Sequence, residues 1–435
     1  MTRVGGYRVL KFGGSALSEP DRIAGRIRSV ERRGERPVLI VSARAGVTDS
    51  LEEALRGRAS TESHRALLER IERTHPGVER ADHQLSPRLR RLLSRSRPGG
   101  SRPEAVREEL LAMGERWAVR WLALELGTSG IPAVPLDADV VGVRLETTPG
   151  GNRIRWRASR AAVLRAVLRA GDTGSVPLIT GYLGRLGRHG VGTLGRGGSD
   201  YSAVAVAAML SSDEVDLVKR DWPICTADPS VVPQARPLRS LSYDTAEGLA
   251  LAGARVIHPE AVALARRQRI RIRVVSLLEP GRVSVVGPSS STRTRALSFQ
   301  PHLALVEVRS PEGAHRPGLL ARWSRALAES GVNIVTLLST GGRFSFVFGL
   351  PDAESARRLL TEEVGELGRP PYPLRKVALI TVVGVPTPEV TEAVRRTDIS
   401  VLGLVAHPDS ATVAVPDRWG PTALRSLHRA LIPSR

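Results

Sequence analysis

A glycine-rich turn with charged residues, Gly195 to Asp200 (GRGGSD), stands immediately before a helix-forming segment. Glycines allow backbone N–H groups to approach an anion, and the N-terminus of the following helix adds the positive end of its dipole. The guanidinium of Arg196 can bind a carboxylate or a phosphate through two hydrogen bonds. Most glycine-rich turns are only turns, but the arginine, the aspartate and the helix together indicate an anion-binding site.

The second candidate for chemistry is Lys11, which stands in the run KFGGS (residues 11–15) directly after a short apolar segment. In open parallel sheets, ligands bind at the carboxyl ends of strands, where an ammonium group beside a glycine turn can neutralise a phosphoryl group during transfer. The alternative is a solvated surface lysine. Of the 64 lysines and arginines, three are lysines, namely Lys11, Lys219 and Lys376. A lysine at this turn therefore indicates that an ammonium group is needed there.

Strand-like and helix-like segments alternate through the first two thirds of the chain and must position both turns. Apolar runs predict strands at 7–12, 36–42, 131–136 and 176–179. Residues 49–112 are predicted to be mostly helical, with an exposed loop at 94–103. This alternation is typical of an α/β fold with a mostly parallel sheet.

A small polar stretch at 288–294 (PSSSTRT) predicts a linker, after which the pattern changes. Strand and helix segments then follow in an order that begins at Leu303 and repeats more weakly from Lys376. We therefore predict a catalytic domain over 1–290, a first sensor domain over 300–370 and a shortened second one over 371–435.

Composition excludes several classes of protein. With 435 residues, 41% hydrophobic and 25% charged, the chain is typical of a soluble globular protein of two or three domains. No apolar run of about 18 residues exists, so no membrane span is expected. The net charge of +20 would suggest nucleic acid, but the arginines are spread out and aromatic residues are 4%. We attribute the charge to an arginine-rich composition and expect no nucleic-acid partner. The single cysteine fits a reducing cytoplasm.

Eight motifs, in the same order, resemble those of the aspartate kinases, which are amino acid kinases with tandem C-terminal ACT domains. They are KFGGS (11–15), SARAGVT (42–48), GE (114–115), LDA (136–138), TGYLG (180–184), TLGRGGSD (193–200), TADP (226–229) and GARVIHP (253–259). The resemblance implies a three-layer α/β sandwich with two ferredoxin-like ACT domains. It also implies that a nucleoside triphosphate, expected to be ATP with Mg²⁺, phosphorylates the β-carboxylate of L-aspartate.

The resemblance also implies site residues by position. Lys11 and Asp200 correspond to the catalytic pair. The expected aspartate-binding residues are Ser42, Thr48, Glu115, Tyr182, Arg196 and Ser199. The expected nucleotide-binding residues are Lys11, Gly13, Gly14, Ser15, Lys219, Arg220, Asp228 and Arg255. The chemistry agrees, because Arg196 suits the carboxylate of an amino acid and Glu115 its ammonium group. No side chain is expected to bind a metal ion directly.

The nucleotide loop departs from the family pattern. Aspartate kinases carry a sequence close to Thr-Asp-Val-Asp-Gly after a strand, whereas this chain has KRDWP at 219–223. Ser230 and Arg255 also replace an arginine and a lysine of the family. Three explanations stay open: cations at new positions bind the phosphates of ATP, the loop accepts another nucleotide, or the chain is a non-catalytic aspartate-binding or regulatory homologue.

Other residues near these motifs allow simpler interpretations. Trp222 either stacks on a base or packs in the core, and we favour the core. Cys225 is interpreted as a small core residue, and His258 as structural. The glutamates that precede Glu115 on the same helix are interpreted as a solvated face; they are Glu104, Glu108 and Glu109.

The C-terminal repeats indicate regulation and assembly. ACT domains usually pair between chains, so the resemblance implies a homodimer with effector sites at the paired interface. Asn333, Ile334 and Thr336 stand near the strand expected to sense lysine, and Ser339 and Thr340 follow. A lysine or threonine effector is therefore a hypothesis. The second repeat enters its helix through a shorter Thr387-Pro388 sequence.

Overall fold

The computed structural model falls into two compact units. It describes residues 6–56, 61–95, 104–148, 150–188, 190–195, 197–254, 256–288, 294–309, 318–340, 342–364, 373–397, 399–407 and 410–433. The first unit comprises Met1–Ile224, Pro237–Glu247 and Arg255–Ser291, and the second comprises Cys225–Arg236, Gly248–Ala254 and Thr292–Arg435. The loop expected at 94–103 and the linker expected at 288–294 lie largely outside the described residues.

Twelve strands among the described residues of the first unit form two sheets. The strands are β1 (Tyr7–Phe12), β2 (Arg36–Val41), β3 (Ala133–Leu136), β4 (Arg144–Thr148), β5 (Gly151–Ile154), β6 (Val176–Thr180), β7 (Leu183–Leu186), β8 (Gly190–Thr193), β9 (Glu214–Lys219), β10 (Ser240–Ser242), β11 (Arg271–Ser276) and β12 (Val283–Gly287). The large sheet has the order β10-β12-β11-β9-β1-β2-β6-β3, and the small sheet has the order β5-β4-β7-β8. Within the large sheet, the pairing of β11 with β12 is antiparallel and the other strand pairs are parallel.

Eleven α-helices lie among the described residues of the first unit, and the last residues of one of them, α10, belong to the second unit. They are α1 (Pro20–Glu31), α2 (Val47–Arg56), α3 (Thr61–Thr74), α4 (Val78–Ala81), α5 (Leu85–Arg95), α6 (Glu104–Thr128), α7 (Ala138–Val141), α8 (Trp156–Asp172), α9 (Gly198–Met209), α10 (Tyr243–Leu251) and α11 (Pro259–Gln268). Helices α1 and α6 contact each other and strand β2, whereas α9 contacts β1, β9 and the helices α8 and α11. The first unit is therefore a three-layer α/β sandwich, as the resemblance to aspartate kinases implies.

Side-chain alternation along β1 explains how one strand serves both layers. Leu10 and Phe12 are fully buried in the core that includes α1 and α6. Because successive side chains of a strand point to opposite faces, Lys11 lies on the face covered by α9. Helix α9 is buried along its whole length and is rich in alanine and valine, which allows it to pack closely on that face.

The second unit is built on one six-stranded antiparallel sheet. Its elements are β13 (Ala296–Arg309), α12 (Leu319–Glu329), β14 (Ile334–Thr340), β15 (Arg343–Gly349), α13 (Ala353–Val364), β16 (Arg375–Val383), α14 (Thr387–Arg395), β17 (Gly403–His407), β18 (Ser410–Pro416) and α15 (Gly420–Leu431). The strand order is β14-β15-β13-β16-β18-β17. Strand β13 pairs with β15 through residues 303–309 and with β16 through residues 296–300 and 303–305. The two expected α+β repeats are present; each contributes three neighbouring strands, and the pairing of β13 with β16 joins them into one sheet.

No helix among the residues that the structure describes is both long and apolar enough to span a membrane. Two segments that the sequence places inside the first domain pack with the second unit instead. These are Cys225–Arg236 and Gly248–Ala254. The domain limits at 290, 300 and 370 stay predictions.

Candidate active site

A cluster of two lysines and one aspartate lies where β1, β9 and α9 meet, with Lys11 and Asp200 buried and Lys219 partly exposed. The Nζ atom of Lys11 is 2.8 Å from Oδ1 of Asp200, and Nζ of Lys219 is 3.6 Å from Oδ2. Lys11 is 7% exposed and Asp200 is 5% exposed. Burial by itself raises the pKa of Asp200, but the charges of Lys11 and Lys219 outweigh it, so the pKa lies below its usual value. The cluster therefore holds an ionised carboxylate between two ammonium groups.

Lys219 completes this cluster from the end of β9. Burial lowers the pKa of its ammonium group, the charge of Asp200 raises it, and the neighbouring charge of Lys11 lowers it further. The pKa of Lys219 therefore lies below its usual value. Two ammonium groups that share one carboxylate carry excess positive charge, and a negatively charged ligand would relieve their mutual repulsion.

Glu115 presents an unpaired carboxylate oxygen inside the same unit. It is 3% exposed, and its Oε1 accepts a hydrogen bond from the backbone N–H of Ala43 at 3.0 Å. Within the described part of the chain, Oε2 has no hydrogen-bond partner. Burial raises the pKa of Glu115 to about 8, although the hydrogen bond from Ala43 and the charge of Lys11 oppose the shift. Such a buried acceptor is suited to a cationic group of a ligand.

Two glycines bring the ends of β1 and β2 and helix α6 close together. A Cβ atom on Gly14 would stand 2.6 Å from the carbonyl oxygen of Ala43, and one on Gly114 would stand 2.8 Å from the Cβ of Ala43. Both distances are shorter than real side chains allow. The glycines therefore let the turn after β1 and the helix carrying Glu115 approach the loop that begins at Ser42.

The turn before α9 is positioned by β6 and β7. A Cβ atom on Gly181 would lie 2.7 Å from the Cβ of Ser199, so this glycine gives room for the serine. Tyr182 has a left-handed backbone with φ of 67°, and its N–H donates to the Oγ of Ser202 at 3.1 Å. Burial raises the pKa of Tyr182 to about 12, and a hydrogen bond with Thr193 opposes that shift. The tyrosine is therefore a neutral hydrogen-bonding group here.

The remaining residues expected to bind aspartate or the nucleotide lie in the first unit, outside the described residues, or in the second unit. Ser42 and Thr48 are half-buried at the start of the loop before α2 and in its first turn, and Ser15 is exposed in the turn after β1. Gly13 accepts backbone hydrogen bonds from the next turn of chain. Arg196 and Arg255 lie outside the described residues. Asp228 belongs to the second unit, where its Oδ1 accepts hydrogen bonds from the N–H and the hydroxyl of Ser230.

The loop after β9 is positively charged but partly neutralised. Arg220 lies 3.2 Å from Glu19 and 3.1 Å from Asp221, measured between guanidinium nitrogens and carboxylate oxygens. Trp222 is 42% exposed, with the guanidinium of Arg282 4.6 Å from its ring centroid. The expectation that Trp222 packs in the core is wrong, because its ring lies at the surface beside the guanidinium of Arg282.

Two further residues lie near the site. His258 caps the N-terminus of α11 by accepting a hydrogen bond from the backbone N–H of Glu260, which agrees with its interpretation as structural, and its ring stands against Gly197. Burial lowers its pKa, and the charge of Asp200 opposes this shift. Glu108 is 6% exposed, so its interpretation as part of a solvated face is wrong, whereas Glu104 is exposed. The sequence signal for the burial of Glu108 is its spacing of seven residues from Glu115, because residues seven apart lie on the same face of a helix.

Comparison with known proteins agrees with this geometry. The model of the amino acid kinase family matches residues 6–276. An aspartokinase of Thermus thermophilus is 27% identical over 97% of this chain and 98% of its own length. The structure of E. coli aspartokinase III in complex with aspartate and ADP has a TM-score of 0.81, with 22% identity over 98% of this chain and all of that one. The form in complex with lysine and aspartate has a TM-score of 0.74 at 23% identity, with the same coverage.

These findings confirm the resemblance to aspartate kinases and the fold that it implies. The family match covers the large sheet except for β12, together with the lysine–aspartate cluster and the helix that carries Glu115. The chain belongs to the amino acid kinase family.

Proposed function

We propose that this enzyme transfers the γ-phosphoryl group of a nucleoside triphosphate to the β-carboxylate of L-aspartate. The observation that carries the proposal is the unpaired Oε2 of buried Glu115, in the same unit as the cluster of Lys11, Asp200 and Lys219. The carboxylate of Glu115 suits the ammonium group of an amino acid, and the ammonium groups suit the charges of a phosphoryl donor.

The reaction requires charge neutralisation and alignment more than a base. An oxygen of the β-carboxylate attacks the γ-phosphorus, and a new P–O bond forms. The bond to the bridging oxygen breaks, and its electron pair leaves on the nucleoside diphosphate. A carboxylate at neutral pH carries no proton on the attacking oxygen, so no proton has to be removed. Lys11 and Lys219 offset the negative charge, and Asp200 holds both of them in place.

The described residues around Asp200 do not form a site that coordinates a metal ion through protein side chains alone. Both oxygens of Asp200 face lysines, and within the described ranges no group of three or more His, Cys, Asp or Glu side chains could hold a metal ion. A magnesium ion would therefore be carried by the phosphates of the nucleotide, where it neutralises charge. Phosphoryl transfer in this site requires no ion bound by protein side chains.

ATP is the proposed donor despite the altered loop at 219–223. Lys219 supports the first of the three explanations, because its ammonium group lies beside Asp200 rather than in bulk solvent. Arg220 is engaged by Glu19 and Asp221, so we assign the phosphate contact to Lys219 first. The non-catalytic alternative is not favoured, since the pair of Lys11 and Asp200 is intact at 2.8 Å.

Regulation and assembly are proposed on the second unit. Its paired α+β repeats support a homodimer with a lysine or threonine effector, as the ACT resemblance implies. E. coli aspartokinase III has been crystallised in complex with lysine, which makes lysine the first effector to test. We also propose that the protein acts in the cytoplasm, since its one cysteine gives no internal disulfide.

A hydroxylamine trap tests the activity directly. The enzyme is incubated with aspartate, Mg²⁺ and either ATP or GTP, and hydroxylamine converts an acyl phosphate into a coloured hydroxamate. We expect product that depends on aspartate and on a nucleotide, and Lys11→Met should lower the rate at least about 100-fold. Absence of hydroxamate with either nucleotide, from protein that binds aspartate, would leave the non-catalytic alternative.

A further inference from the structure

Helix α6 carries two buried glutamates on one face. Glu108 is 6% exposed and Glu115 is 3% exposed, although charged side chains are almost never this buried without partners. They are seven residues apart, which places them about two turns and about 10 Å from each other along the helix. Both have backbone partners outside the helix, so neither serves the helix itself.

Each glutamate accepts a hydrogen bond from a different strand end. Glu115 accepts from the N–H of Ala43, directly after β2. Glu108 accepts through Oε2 from the N–H of Thr193, the last residue of β8, while its Oε1 lies 2.9 Å from Nη1 of Arg107. Helix α6 is thus attached to two separate loops.

The backbone carbonyl and the side chain of Thr193 are hydrogen-bonded, in addition to the N–H that donates to Glu108. Its carbonyl oxygen accepts from Nδ2 of Asn152 at 2.9 Å, and its side chain hydrogen-bonds with Tyr182. The next residue, Leu194, donates its N–H to the carbonyl oxygen of Tyr182 at 2.8 Å. The chain then continues through the glycine turn to Ser199. The position of Thr193 therefore sets where the turn before α9 begins.

We propose that Glu108 is a positioning residue for aspartate. Together with Glu115 it makes α6 a spacer, which fixes the separation between the loop that starts at Ser42 and the turn that ends at Ser199. Both ends carry residues assigned to aspartate in the proposed function, on which this inference rests. Glu108 itself contacts neither substrate.

Substitution at Glu108 tests the proposal, and Glu109 supplies a matched control. Glu109→Gln makes the same chemical change one residue along the helix, where the side chain is half-exposed and paired with Arg88. For Glu108→Gln we expect the KM for aspartate to rise about tenfold, with kcat and the KM for ATP within about twofold. Glu108→Ala should raise the KM for aspartate further, and Glu109→Gln should match the wild type.

Hydrogen exchange gives a readout that is independent of catalysis. The amide of Thr193 should exchange faster in Glu108→Gln than in the wild type, while the amide of Ala43 stays protected. Unchanged exchange at Thr193, or equal loss of affinity for aspartate and ATP, would overturn the positioning role. If the wild type makes no acyl phosphate, the proposed function fails, but exchange at Thr193 still decides the role of Glu108.

Discussion

Burial determines the protonation state of Glu115 when no ligand is bound. Unfolded, Glu115 would ionise near its ordinary pKa of 4.5, whereas in the folded protein its pKa is about 8. Between these values the folded state binds more protons than the unfolded state, so the free energy of unfolding falls as pH rises. An ammonium group bound at Oε2 would favour the ionised form of Glu115 and lower its pKa again. Glu115 therefore couples substrate binding to proton release.

That coupling gives the prediction at the residue scale. At pH 7, binding of aspartate should release close to one proton, and the release should decline above about pH 9 as free Glu115 becomes ionised. Affinity for aspartate should accordingly rise as pH increases through about 8. Calorimetric titrations in buffers of different ionisation enthalpy measure the release. Glu115→Gln should abolish it, and release that persists in that variant would assign the proton to another group.

Among the contacts between secondary-structure elements, the close packing of helix α6 against the loop after β2 is the one that positions Glu115. Gly114 allows this approach, because any side chain there would overlap Ala43. The same approach lets the next residue, Glu115, reach the N–H of Ala43. A glycine in mid-helix lowers helix stability, and here the cost is offset by the contact that it permits.

Two glycines in α6 allow a matched prediction at the scale of elements. Gly114→Ala should lower the free energy of unfolding by about 1–3 kcal/mol through overpacking, and should weaken aspartate binding. Gly127→Ala has no atom within 4 Å of the new methyl group, so it should raise the free energy of unfolding by about 0.5–1 kcal/mol. Urea denaturation measures both. Equal effects of the two substitutions would show that the packing at Gly114 is unimportant.

Local sequence signals predict the strands, the helices and part of the site, whereas features that depend on long-range packing are missed. Apolar strand runs and glycine turns are local signals, so the α/β sheet and the turns that carry Lys11 and Asp200 can be predicted from the residues, whereas the three layers and the catalytic roles are implied by the resemblance to aspartate kinases. The burial of Glu108 depends on where β8 lies, and the exposure of Trp222 depends on the course of a short loop. Asp228 packs with the second unit because its segment leaves the first unit after Ile224. Such long-range packing has no local signature.

At the scale of the whole molecule, the prediction concerns the second unit. Strands β13 and β16 pair and join its two repeats into one sheet, so a ligand at one repeat can affect the other through this strand pair. We expect lysine to bind and to raise the KM for aspartate, and we expect the chain to run as a dimer by light scattering. Calorimetry with lysine and threonine checks the first expectation. No heat and no change in activity with either amino acid would remove the effector proposal.

The most direct test of the central claim compares aspartate with succinate, which lacks only the ammonium group. Calorimetry on the wild type should show aspartate binding at least about tenfold more tightly, because succinate leaves Oε2 of Glu115 unpaired. In Glu115→Gln the preference should shrink to about threefold or less. Equal affinity for the two compounds in the wild type would contradict the account, since Glu115 would then not recognise the amino group of the substrate.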